Sequence, residues 1–301
     1  MIIITTNNTL IHIVRRFFPE EEIKVVLPSS IKNLVMKNEI VLTDEAEFTK
    51  LIPRSAKQKT IITFIENLSK DRNINKILKS ADPLKESHKL RDFVEIISLL
   101  KKVLTSEVEI SNLNLLPQGK SIKEEFILEG NIKNTPEEAI DKIITFIEKH
   151  NLLETIDRDN VIISSCEIID NIIEVYISLN QVNIKTKLEL YYNEKYFSIS
   201  ISDYLGLADI YSISKSMIAN SVIDKEDLFK RNIDEIIDSI TIRGRGYTLM
   251  KKTSDRVITT ILREENKLKY NSNWGFTKTS ITYYLVKKGK EKALNIAIEF
   301  C

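Results

Sequence analysis

The sequence has 301 residues, of which 43% are hydrophobic, with 44 basic and 43 acidic side chains. This balance lacks the basic surface typical of nucleic-acid-binding proteins, and no apolar run reaches the ~18 residues that a membrane span needs. The first residues show no signal-peptide pattern, and the two cysteines, Cys166 and Cys301, predict no disulfide framework, so we expect a cytoplasmic protein. The few scattered histidines predict no multi-histidine metal site.

Residues 1–104 alternate short β-branched runs with helical segments. The strand-like runs are IIITT, EIKVVLP, EIVLTD and TIITFIEN, and the last helical segment spans residues 81–104. Strands that alternate with helices predict an open parallel α/β sheet. Residues 105–121 are more polar, contain Pro117 and Gly119, and are expected to connect this first domain to a second at residues 122–301.

The second domain is predicted to be an α/β sandwich with helices on one face of a mixed sheet. It begins with the strand EEFILEG and continues with a helix for which Thr135 is the expected N-cap, Pro136 the first position and Glu138 the partner in a capping box. A longer helix is expected from about Asp159 to Ser178. A hairpin, about forty polar to mixed residues, a helix after Gly246 and the strand pair RVITTILRE and TSITYYLVK follow.

The long helix carries a polar stripe on an otherwise isoleucine-rich surface. Its members recur every three or four residues and therefore share one face: Asn160, Ser164, Glu167, Asn171, Glu174 and Ser178. A solvated face is one interpretation. The other is a site in which Glu167 orients a water molecule as general base and Asn171 offers its carbonyl oxygen to Mg²⁺.

Two of only seven glycines, Gly244 and Gly246, flank Arg245 just before a predicted helix. Such a pair permits either a tight turn or the close approach of phosphate groups to a helix N-terminus.

Taken together, residues 122–287 resemble the GHKL (histidine-kinase-like) ATP-binding fold, and most closely its anti-sigma-factor serine kinase branch. The segment SSCEIIDNIIEV resembles the family's N-box, ISISDYLG its aspartate box, and GRGYTLMKK its last glycine box. The resemblance implies that Glu167 is the general base, that Asn171 binds Mg²⁺ and that Asp203 receives the adenine amino group of ATP. The other implied nucleotide-binding residues are Gly206, Gly244, Arg245, Gly246 and Thr279.

The sequence departs from the family at several of these boxes. Leu205 and Leu207 replace two glycines on either side of Gly206, Lys278 replaces a glycine before Thr279, and Arg243 stands at a further glycine position. A leucine crowds the nucleotide and would be strained at a positive φ. We therefore expect weak ATP binding and slow turnover or none.

The first domain weakly resembles a two-component receiver. Asp44 stands where receivers carry the phosphoacceptor, and Lys79 could stand for their lysine. However, the first strand ends in TTNN rather than an acidic pair, so Mg²⁺ would lack carboxylate ligands. We expect a pseudo-receiver, or an ordinary α/β interaction domain in which Asp44 caps a helix.

The segment SHKLRD is similar to the histidine-kinase H-box and would make His88 a phosphoacceptor. Lys89 replaces the acidic residue of that box, and no second dimerisation helix is predicted. The alternative is a histidine on an exposed helix face.

These patterns favour a signalling regulator that acts by partner binding or by serine-kinase-type partner switching, with ATP and Mg²⁺ as cofactors. The expected partner is a regulatory protein such as a sigma factor or an anti-sigma antagonist, with a homodimer possible and neither nucleic acid nor membrane involved. The alternatives are a pseudokinase binding module without nucleotide and a histidine kinase that uses His88.

Overall fold

A computed structural model describes the chain except for residues 34–37, 54–59, 67, 70, 72, 111–112, 114, 118, 220–244, 263–274 and 287–293. The strands of the described part are β1 (Ile2–Ile4), β2 (Lys24–Val26), β3 (Glu39–Thr43), β4 (Thr60–Glu66), β5 (Ile122–Asn131), β6 (Asn183–Tyr192), β7 (Tyr196–Asp203), β8 (Arg256–Leu262), β9 (Phe276–Tyr284) and β10 (Leu294–Phe300).

The α-helices of the described part are α1 (Asn8–Phe17), α2 (Ala46–Leu51), α3 (Ile74–Leu78), α4 (Pro83–Glu86), α5 (His88–Leu104), α6 (Thr135–Lys149), α7 (Arg158–Ser178), α8 (Ile210–Ala219) and α9 (Arg245–Thr253). Short 3-10 helices lie at Pro28–Asn33 and Leu152–Glu154. No helix in these ranges is long and apolar enough to cross a membrane.

All ten strands form one mixed sheet in the order β2-β1-β3-β4-β10-β8-β9-β7-β6-β5. The strands β2, β1, β3 and β4 are parallel, as the alternation of strands and helices predicted. At the other end of the sheet, the successive pairs β8–β9, β9–β7, β7–β6 and β6–β5 are antiparallel. The predicted α/β class and mixed sheet are confirmed.

Two hydrophobic cores lie on opposite faces of this sheet. The larger core packs α2, α6, α7, α8 and α9 against residues such as Phe64, Leu188 and Ile281. The second core packs α1, α3 and α5 against alternate residues of the same strands, including Ile65, Ile258 and Ile296. Strands that bury both faces explain why β3 and β4 are continuous apolar runs, whereas β6 alternates with charged residues.

The sequence analysis did not anticipate β10, which joins the two predicted domains into one sheet. It pairs antiparallel with β4, where Ile296 lies opposite Ile65, and parallel with β8, where Ile296 lies opposite Ile258. The alternation of Leu294, Ile296 and Ile298 with Asn295 was the available strand signal. The division at residues 105–121 remains a prediction about folding units. In the folded protein, however, β4 of the first predicted domain is paired with β10 of the second.

Described residues of the predicted connection at residues 105–121 pack against the sheet. Leu113 and Leu115 pack against the second core, and Leu116 packs against Tyr191 and Tyr196. The Leu115 carbonyl accepts a hydrogen bond from Arg256 Nη2 at 2.7 Å. The segment therefore contributes to the buried interior.

Buried polar contacts fasten α5 to the strands of the second half. The Tyr284 hydroxyl donates to Asp92 Oδ2, and Arg256 Nη1 lies 3.8 Å from the same oxygen. Asp92 and Arg256 are each 1% exposed. On the opposite face, Lys251 of α9 donates to Glu66 of β4 at 2.9 Å.

The start of α6 differs from the prediction. Asn134 is the N-cap, and Thr135 is already helical. The turn at Asn131–Asn134 directs the Thr135 hydroxyl back to the Asn131 carbonyl, 3.0 Å away, so Thr135 does not cap the helix with its side chain.

Candidate functional site

The long helix α7 is fixed at its N-terminus and at Ser164 of its polar stripe. It begins at Arg158 because Asp157 caps it, accepting hydrogen bonds from the backbone amides of Asp159 and Asn160. Ser164 is buried, and its hydroxyl is bonded to that of Thr253 at the end of α9. The stripe is therefore partly an interface between α7 and α9, and only its exposed members, including Glu174, fit the interpretation of a solvated face.

Gly246 of α9 lies directly against the two predicted catalytic and metal-binding residues. A Cβ atom at this position would lie 2.9 Å from Glu167 Oε2 and 3.4 Å from Asn171 Nδ2. A side chain here would therefore displace the Glu167 carboxylate. The first turn of a helix carries backbone N–H groups without intrahelical partners, where negative charge is stabilised. Three of the predicted residues thus meet at one helix N-terminus.

Asp203 ends β7 and is 3% exposed. Its Oδ1 accepts hydrogen bonds from three backbone amides, those of Leu205 at 2.9 Å, Gly206 at 3.1 Å and Thr277 at 2.9 Å. Burial raises the pKa of the Asp203 carboxyl above its usual value, and the three amide donors oppose this shift. This carboxylate holds the loop after β7 against β9.

The glycine of the aspartate box has a backbone role. Gly206 has a φ of +61°, and a Cβ atom there would lie 2.3 Å from the Leu262 carbonyl oxygen and 2.9 Å from the Phe276 nitrogen. Leu205 packs against the larger core, and Leu207 is exposed. Neither leucine has a positive φ, so the strain expected at these two positions does not arise. Gly206, which lies between them, adopts the left-handed conformation.

Thr279 belongs to a chain of buried hydroxyl groups that the sequence analysis missed. Its Oγ1 lies 3.1 Å from Thr259 Oγ1, which lies 2.8 Å from the Tyr247 hydroxyl. Burial raises the pKa of Tyr247 to about 12, so its hydroxyl stays protonated at neutral pH. Tyr247 follows Gly246 in α9, so this chain links β9 to the Glu167 contact. The two adjacent threonines of RVITTIL, Thr259 and Thr260, gave no sequence signal for it.

Lys278 points to the other face of the sheet, where it binds Glu189 at 2.5 Å. Glu189 also accepts from Lys187 at 3.0 Å and from the Tyr191 hydroxyl at 2.9 Å. Burial raises the pKa of Glu189, but Lys278 and Lys187 outweigh it and hold the carboxyl well below its usual range. The lysine that replaces a family glycine therefore belongs to an ion-pair network.

Arg243 and Gly244 lie outside the described residues, and of Arg245 the structure describes the backbone at the start of α9. The described residues bring Glu167, Asn171 and Gly246 close together. Asp203 ends β7, Gly206 lies in the loop after it, and Thr279 lies in β9. In this part of the chain, no group of three or more His, Cys, Asp or Glu side chains could hold a metal ion. A metal at Asn171 would therefore need nucleotide phosphates and water as its other ligands.

Asp44 and Lys79, the residues at the receiver-like positions, lie in different environments. Asp44 is 3% exposed, and its two oxygens accept hydrogen bonds from Thr5 Oγ1 at 2.5 Å and Ser69 Oγ at 2.6 Å. Lys79 is an exposed residue at the end of α3. The Asp44 carboxylate thus ties the ends of β1 and β4 together, and its side chain caps no helix, since Glu45 is the N-cap of α2.

We expect acetyl phosphate to leave Asp44 unmodified. Both carboxylate oxygens are bonded and buried, and a forming acyl phosphate would need charge stabilisation that Thr5 and Ser69 do not supply. Intact-mass measurement after incubation with acetyl phosphate and Mg²⁺ checks this. A stoichiometric adduct that disappears in Asp44→Asn would contradict it.

His88 is the first residue of α5 and is half-buried, not fully exposed. Its ring stacks on Tyr284 with centroids 5.1 Å apart, and Nδ1 lies 2.7 Å from Arg91 Nη2. A phosphoacceptor must present a ring nitrogen to the γ-phosphate, so this geometry favours a structural role for His88.

Comparisons with known proteins give little further information. No family model matches the chain, and no curated protein matches it. Among solved structures, it is similar to a chain from the crystal structure of the SiaB-SiaC complex of Pseudomonas aeruginosa, with 12% sequence identity and a TM-score of 0.35. That match covers 64% of this chain and 99% of the other.

Proposed function

We propose that the protein is a signalling regulator that binds Mg-ATP weakly between α7 and α9 and uses the nucleotide to control a protein partner. The contact of Gly246 with Glu167 and Asn171 carries this proposal. In this contact an acidic side chain, a side-chain amide and a helix N-terminus come close together. Such a combination suits the phosphates of a nucleotide and their metal ion.

Each residue would have a separate task when ATP is bound. The amides at the start of α9 would face the phosphates, Asn171 would bind Mg²⁺ through its carbonyl oxygen, and Glu167 would orient the attacking group. Asp203 would hold the loop after β7 through its backbone contacts and, as the resemblance implies, would be the residue that receives the adenine amino group. The bound Mg²⁺ would supply charge stabilisation of the phosphates.

A second candidate, a pseudokinase module without nucleotide, is favoured by other observations. The Glu167 carboxylate already lies at the start of α9, where a phosphate would compete with it. Asp203 Oδ1 is occupied by three backbone amides, and Thr279 is bonded to Thr259. In this candidate the same residues only stabilise the fold, and the protein surface carries the function.

Replacing Asn171 with Ala should weaken Mg-ATP binding by about tenfold or more, on the order of 1.4 kcal/mol, because one metal ligand is lost. Isothermal titration calorimetry of the full chain measures this. The melting temperature of the nucleotide-free protein should change little, because Ala has a higher helix propensity than Asn.

Glu174→Ala provides the matched control, since Glu174 lies on the same stripe but is exposed. It should leave Mg-ATP binding unchanged. Equal binding by the Asn171→Ala variant and the unmodified protein would place the nucleotide elsewhere. No binding at millimolar ATP by the unmodified protein would leave the pseudokinase candidate.

The proposed partner is a sigma factor or an anti-sigma antagonist, as the resemblance to anti-sigma-factor kinases implies. Purified candidate partners can be titrated with and without Mg-ATP. A regulator of this class should bind its partner with an affinity that depends on the nucleotide, because a ligand shifts an equilibrium only by its differential affinity for the two states.

A further inference from the structure

A cavity of about 290 Å³ lies between α5, the segment at residues 115–117 and the start of β8. Its apolar wall comes from Ile96, Leu99, Leu115, Leu116 and Pro117. This volume lies just below the usual range for ligand pockets in proteins, and the wall combines these apolar residues with polar and charged ones. None of the residues assigned to the candidate nucleotide site lines it.

Arg256 lines this cavity and has few hydrogen bonds for a buried guanidinium. The residue is 1% exposed, and its Nη2 donates to the Leu115 carbonyl at 2.7 Å. Nη1 lies 3.8 Å from Asp92, beyond hydrogen-bonding distance, and Nε has no hydrogen-bond partner within the described residues. A guanidinium has five N–H donors, and buried donors without an acceptor are costly. An acceptor in the cavity would remove that cost.

The charged residues in the lining of the cavity are Arg256, Lys102 and Glu95, two cations and one anion among the described residues. Asp92 does not line the cavity, but it lies 3.8 Å from Arg256 and offsets its charge. The preference for an anion therefore rests on Lys102 and on the Arg256 N–H groups that lack an acceptor. A guanidinium binds a carboxylate through two parallel N–H bonds, which gives this pairing both strength and direction.

We propose that this cavity binds a small carboxylate with an apolar body, such as an aromatic or branched aliphatic acid. The carboxylate would accept hydrogen bonds from Arg256, and the apolar body would lie against Leu99, Leu116 and Pro117. The ligand would touch α5 of the first half and β8 of the second, and β8 directly follows α9 along the chain. Its binding would stabilise the packing of the two halves.

Isothermal titration of the full chain with benzoate tests this proposal, with benzyl alcohol as the neutral counterpart of the same size and phenyl phosphate as the phosphate counterpart. We expect benzoate to bind and to raise the melting temperature, and both counterparts to bind more weakly. Lys102→Glu reverses a charge at an exposed position of the wall and should weaken benzoate binding about fivefold or more.

Two further variants test whether benzoate binding depends on the cavity itself or on the overall charge of the protein. Ser98→Phe fills the cavity from α5 and should abolish benzoate binding while a cooperative melt shows that the protein is folded. Lys79→Glu makes the same charge change at an exposed position outside the cavity and should leave binding unchanged. The carboxylate assignment would be overturned if benzyl alcohol bound as well as benzoate or if phenyl phosphate bound more tightly. It would also be overturned if benzoate did not bind at millimolar concentration, and the cavity would then hold water only.

Discussion

Replacing Asp92 with Ala should lower the free energy of unfolding by about 3–5 kcal/mol, the cost of breaking a buried ion pair from one side. Arg256 is buried and would keep its charge without the carboxylate 3.8 Å away. The Tyr284 hydroxyl would also lose its acceptor. Urea unfolding followed by far-UV circular dichroism measures the change.

The double variant Asp92→Leu/Arg256→Met tests whether the loss of stability comes from the unpaired charge of Arg256. Because no charge is then left buried, it should be more stable than Asp92→Leu alone. Lys215→Ala, which removes an exposed ion pair with Glu47, should leave the urea midpoint nearly unchanged. A midpoint for Asp92→Ala equal to that of Lys215→Ala would show that the pair does not hold α5 to β8.

Replacing Gly206 with Ala should lower the free energy of unfolding by about 2–5 kcal/mol, from about 1–2 kcal/mol of left-handed backbone strain and about 1–3 kcal/mol of overpacking. The residue has a φ of +61°, and its new Cβ would lie 2.3 Å from the Leu262 carbonyl oxygen. That oxygen belongs to the backbone of β8 and cannot rotate away. The shift should also disturb the amide contacts that Asp203 makes with this loop.

Gly130→Ala is the matched control for this prediction. Gly130 lies near the end of β5, and nothing lies within 4 Å of a Cβ built there. Ala should be neutral or stabilise the strand by about 0.5–1 kcal/mol, because glycine loses more backbone entropy on folding. Similar urea midpoints for the two variants would contradict the close packing of Gly206 against β8 and β9.

The candidate site was predicted from the sequence only in part. The E-x-x-x-N spacing placed Glu167 and Asn171 on one face of α7 because a helix repeats every 3.6 residues. Gly246 lies 75 residues after Asn171 in the chain, and its contact with that face depends on the packing of α9 against α7. The roles of Thr259 and Tyr247 depend on the same packing, so no local pattern indicated them.

The sequence by itself determined the class of the fold, most helices and strands, and the polar stripe of α7. These features follow from local periodicity, which records which side of a helix or strand is buried. The tertiary structure alone decided that β10 pairs with β4, that Asp92 meets Arg256, and that Asp203 accepts a hydrogen bond from the Thr277 amide. Each of these contacts joins residues far apart in sequence, and the partner is chosen by how the whole sheet is assembled. A periodic pattern shows that a residue is buried, but it does not identify the residue it will contact.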